Sequence, residues 1–82
     1  MTNGNRSVYD TEVSKDVAGW VLWCKTKGRQ GLSPGSFVES LLGTIWLADL
    51  ENTEKLGLGF PEFVAASYMS AAELARIAAG QR

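Results

Sequence analysis

Between Ser33 and Glu62 the chain reads SPGSFVESLLGTIWLADLENTEKLGLGFPE, and this stretch leaves little choice of fold. Ser36 with Glu39 three residues on has the form of a capping box. Ser33 before Pro34 is an alternative start, with proline at the first helical position. Val38, Leu41, Leu42, Ile45 and Ala48 then recur at three- and four-residue spacing, the period of one helix face. The stripe runs on through Asp49 and Asn52 to Leu56, with Gly57 as the stop and Leu58 as its hydrophobic contact. One helix over about 35–56 is expected, roughly 33 Å long at 1.5 Å per residue. Phe60-Pro61 breaks it, because the residue before proline is pushed to extended geometry and proline suits a first helical turn.

The flanks carry the same period. Asp10 reads as an N-cap, and Val13, Val17, Trp20, Val21 and Cys24 as a buried stripe. Lys25, Lys27 and Gly28 form a positive, glycine-marked end, giving a first helix over about 11–27. Gly19, inside it, marks a close approach by another helix, and Trp23 covers a second contact off the stripe. After Pro61, Ser70 and Glu73 form another capping box, so a bend near Met69 separates helices at about 61–69 and 70–79; a single helix over 61–79 is the alternative. No strand alternation is present. The expectation is an all-α chain: a flexible arm at 1–9, then one domain over 10–82 built as a three- to four-helix bundle.

Eighty-two residues give a small core, and 45% apolar residues with three tryptophans is generous for it, so self-association is expected. Net charge is −1, without the basic excess of a nucleic-acid-binding domain. The charge is uneven: residues 1–29 hold five Lys/Arg against three Asp/Glu, whereas 33–63 hold one Lys against five Asp/Glu. The acidic middle is either a solvated helix face or an acidic docking surface. The N-terminus has no apolar signal-peptide core, and the apolar runs are far too short to span a membrane. A cytoplasmic location is expected.

Chemistry is sparse. The chain has no histidine, which removes the commonest general base and metal ligand. Cys24 is a single cysteine set among apolar residues, read as a buried structural thiol. Gly57-Leu58-Gly59 lacks the strand, Lys and Ser/Thr of a phosphate loop. No enzyme, metal or cofactor is expected. What stands out is Asp49 and Asn52, three apart on one face, where the apolar stripe should continue. Either they cap a neighbouring helix or fix the 57–61 connector, or they line a groove or subunit interface. Trp46, just off the stripe, is the favoured interface anchor, with a core role as the alternative.

PGSF at 34–37, Ala48-Asp49 with Asn52, Lys55-Leu56, and Gly59-Phe60-Pro61-Glu62 come in an order that resembles a group of small tailed-bacteriophage and prophage proteins. The resemblance spans 34–62. It implies a phage accessory protein in a bacterial cytoplasm, a class that often binds host proteins or counters host defence, and it adds Lys55, Phe60 and Glu62 to Asp49, Asn52 and Trp46 as binding candidates. The expected partner is a host or phage protein, or a small nucleotide-like ligand held in a groove between subunits. Two alternatives remain. One is a minor virion or assembly component. The other is a DNA-binding regulator, disfavoured because only four residues follow Ala78 and no recognition helix can come after SAAELARIA.

Overall fold

A computed structural model describes residues 11–80; the expected arm at 1–9 and the Asp10 cap lie outside the described residues. Those residues form five helices and no strand: α1 (Lys15–Lys25), α2 (Ser36–Leu47), α3 (Leu50–Gly59), α4 (Pro61–Ser67) and α5 (Ala71–Ala78). The all-α expectation holds, with five helices where three or four were expected. The molecule measures 38 × 27 × 18 Å, and its thinnest dimension is that of two helix layers.

α1 is the centre of the fold. It packs most extensively on α5 and also on α4 and α2. Its apolar stripe, Val17, Ala18, Val21 and Leu22, meets Leu41, Leu42 and Ile45 of α2, Val64, Ala65 and Ala66 of α4, and Leu74 of α5 in one buried cluster. The helix starts four residues later than expected, because Ser14 caps it: the Val17 N–H donates to Ser14 Oγ at 3.3 Å. It ends in a Schellman arrangement. The Gly28 N–H donates to Trp23 O at 2.8 Å and the Lys27 N–H to Cys24 O at 3.4 Å. The left-handed C′ position is therefore Lys27 (φ +56°), and Gly28 follows it rather than filling it. Trp23 covers that turn, its ring 3.5 Å from where a Gly28 Cβ would stand.

Gly19 does admit a close approach, but of the 28–32 loop and not of a helix. The Leu32 N–H donates to Gly19 O at 3.0 Å. A Cβ on Gly31 would lie 2.3 Å from that same carbonyl oxygen. Loop backbone at Gly31 rests directly on helix backbone, which a side chain there would prevent, while Gly19 leaves room for the Leu32 side chain.

The expected long helix is broken. Ala48 is extended (φ −72°, ψ 142°), and Asp49 caps a separate α3. The Asn52 N–H donates to Asp49 Oδ1 at 2.9 Å, and the Thr53 N–H to Asp49 O at 2.8 Å. A short acidic side chain competes for nearby backbone N–H groups and so favours a cap over a helix interior. The break turns α3 onto α4, where Thr53 is buried and Leu56 half-buried. It also lets a single residue, Phe60, return the chain to the core: Phe60 ends α3 and precedes Pro61 at the start of α4. The expected stop at Gly57 is overrun, α3 continuing to Gly59. The bend near Met69 is present, so 61–79 is two helices; Ser70 Oγ accepts the Glu73 N–H at 3.1 Å. Gly80, left-handed at φ +84°, follows the end of α5 as expected.

Candidate functional site

The six candidate residues divide by role. Asp49 is exposed and spends its carboxylate on the α3 cap, so it neither reaches a neighbouring helix nor fixes the 57–61 connector. Replacing it with alanine should cost about 1 kcal/mol, and in a domain this small that lowers Tm by about 4–8 °C. Asn52→Ala, which keeps the backbone N–H that the cap uses, should shift Tm by no more than about a degree or two, since exposed substitutions stay within about 0.5 kcal/mol. Thermal melts of the pair check this, and equal losses would contradict the cap assignment.

Glu62 is structural as well: its Oε2 accepts the Ser14 N–H at 2.5 Å, tying the start of α4 to the start of α1. Trp46 is 44% exposed and donates its indole N–H to Ser67 O at 3.4 Å, pinning the end of α2 to α4. Phe60 belongs to an aromatic row. Its ring lies 6.4 Å from Phe37 and 6.4 Å, edge-on, from Phe63, which stacks on Trp20 at 6.2 Å. These spacings are typical of favourable ring pairs. Lys55 lies 3.5 Å from Glu51 across one turn of α3, both exposed, a pair that adds little stability.

Asn52 and Lys55 do come together, in a shallow groove of about 420 Å³ at the α2–α3 junction. Thr44, Leu47, Ala48 and Leu56 complete its lining. The helix break makes this groove, since it needs the bend at Ala48.

The surface features that sequence reasoning missed are leucines. Leu47, Leu50 and Leu58 are 89%, 74% and 85% exposed. Leu50 and Leu58 lie on the solvent side of α3 with Glu54 between them and Glu51 beside them. Their signal in the sequence was their place off the stripe, among charged residues; Leu58, expected as the hydrophobic contact of a Gly57 stop, is exposed because α3 runs on to Gly59. α3 packs mainly on α4 and buries only Thr53 fully, so this acidic, leucine-bearing face lies open.

Cys24 is half-buried. Burial pushes its thiol above the ordinary value, and the Glu39 carboxylate adds to the shift, so little of it is the reactive thiolate at neutral pH. Among the described residues no group of three or more His, Cys, Asp or Glu is placed to hold a metal ion, and no helix is long and apolar enough to cross a membrane. No protein-family model, curated protein or solved structure matches the chain.

Proposed function

We propose that this protein is a phage accessory interaction module, a helical domain without catalytic activity that binds a host or phage protein in the bacterial cytoplasm. The outer face of α3 is the docking surface. The observation that carries the reading is the pair of exposed leucines, Leu50 and Leu58, set among Glu51 and Glu54 on a helix held from one side only. Exposed apolar groups gathered on one element and rimmed by charge mark interaction sites in soluble proteins.

The chemistry of this face defines what fits it. Carboxylates around an apolar ridge complement a basic amphipathic helix: its leucine-type anchors meet Leu50 and Leu58, and its Lys/Arg meet Glu51 and Glu54. The surplus of acid over base across 33–63 extends that negative field beyond the contact itself. The phage setting, and with it a role in countering host defence, follows from the resemblance across 34–62.

The test is a titration of a synthetic basic amphipathic helix into isotopically labelled protein. Shifts of backbone amides should concentrate in 49–59, and the affinity should fall as salt rises. The double variant Leu50→Lys/Leu58→Lys should keep its helical circular dichroism and lose the binding. Binding undiminished in that variant, or shifts gathered elsewhere, would remove α3 as the docking surface.

A further inference from the structure

We propose that a second copy of this chain packs on the outer face of α2, with Leu47 of each copy seated in the α2–α3 groove of the other. This face is distinct from the outer face of α3 and does not depend on it.

Leu47 is the most exposed large apolar side chain among the described residues, and it stands on the rim of the groove. One molecule thus offers both an apolar knob and a largely apolar hole beside it. A two-fold contact requires that arrangement, because the same patch must be complementary to itself.

Charge selects a second copy for this face. Ser36, Ser40, Gly43, Thr44 and Leu47 lie on the side of α2 turned away from Leu41, Leu42 and Ile45, and none is charged. The one charge on α2, Glu39, acts on Cys24 of α1. At the groove, Lys55 is already matched by Glu51. Two copies therefore meet here over an uncharged centre, with Glu39 at its edge. Pairing through the outer face of α3 would set Glu51 and Glu54 of each copy against the acidic residues of the other. A surface helix of a monomer normally carries several charges on its solvent side; α2 carries one, the exposed Glu39 at the edge of this face.

Gly43 is a further sign. A glycine inside a helix costs about 1 kcal/mol relative to alanine. Gly19 offsets that cost with a close contact inside the chain, but a Cβ on Gly43 would meet nothing within 4 Å. It lies one turn before Leu47, where the second helix would cross.

Two short helix faces make a contact at the small end of specific interfaces, so dimerisation in the micromolar to submillimolar range is expected. Sedimentation equilibrium of the full chain across that range should show monomer passing to dimer. Leu47→Glu should keep the wild-type melting curve, measured at low concentration, and weaken dimerisation by about tenfold or more. Gly43→Ala should raise the Tm of the monomer and also weaken the dimer. Leu50→Glu, on the other face, should leave the dimer intact. A wild-type chain that stays monomeric, a Leu47→Glu chain that dimerises normally, or a dimer lost in Leu50→Glu but not in Leu47→Glu would each overturn the proposal. The peptide titration on α3 is scored separately, so the failure of one reading is distinguishable from failure of the other.

Discussion

Gly31→Ala should destabilise the domain more than any other substitution at an exposed position, by about 2–5 kcal/mol. Two causes add. Gly31 sits at φ +89°, a region that costs a side-chain-bearing residue about 1–2 kcal/mol. The new methyl group would also stand 2.3 Å from the Gly19 carbonyl oxygen and 2.8 Å from the Trp23 backbone nitrogen. Both obstacles are main-chain atoms of α1, so no rotamer change relieves them, and forced repacking costs a further ~1–3 kcal/mol. A domain of this length is expected to hold only about 4–12 kcal/mol in total. The measurement is thermal unfolding, where a drop in Tm of at least 8 °C is expected. Gly35→Ala is the control: Gly35 has the same kind of backbone (φ +85°) but nothing within 4 Å of its would-be Cβ. It should lose only the conformational part. Equal losses at the two positions would show that the loop moves away from α1 freely, contrary to the packing described.

Leu42→Ala should cost about 2–5 kcal/mol, the range for deleting a buried leucine and leaving a cavity. Leu42 has no exposed surface and is among the largest fully buried side chains. It holds α2 against the rest of the core, so its loss loosens the helix that carries Trp46, Leu47 and one wall of the groove. Urea unfolding should show a lower midpoint with little change in slope. Leu47→Ala, five residues along the same helix, should stay within about 0.5 kcal/mol of wild type, because that side chain already stands in solvent. A loss below about 1 kcal/mol for Leu42→Ala would contradict its place at the centre of the packing.

These two residues also mark how far the sequence could be read. Leu42 was legible because it lies on a stripe of period three and four, and the stripe survives whatever the helix packs against. Gly31 was not: its constraint comes from the Gly19 carbonyl, a contact that no local pattern reports. Gly19 is recognisable in the sequence as a point of close approach, yet the approaching group is a loop. Asp49 shows the same boundary inside the candidate site. Its type and its distance from Asn52 were read correctly as unusual, but an unbroken helix made the pair look like polar groups in a buried stripe. The structure makes Asp49 a cap, leaves Asn52 at a groove, and exposes Leu47 on α2 and Leu50 and Leu58 on α3.

The sequence by itself determined the helical class, the proline restart at Pro61 and most of the core residues, and offered Ser70 as a cap with a single helix over 61–79 as the alternative. All of these depend on interactions within a turn or two of the chain, or on a period that any packing must respect. The tertiary structure decided where the long stripe breaks. Asp49 can serve as a cap only if residues 50–59 gain more by folding onto α4 than by extending α2, and that gain comes from burying Thr53 and Leu56 against residues beyond the next turn. The groove and both proposed contact faces follow from that one non-local choice.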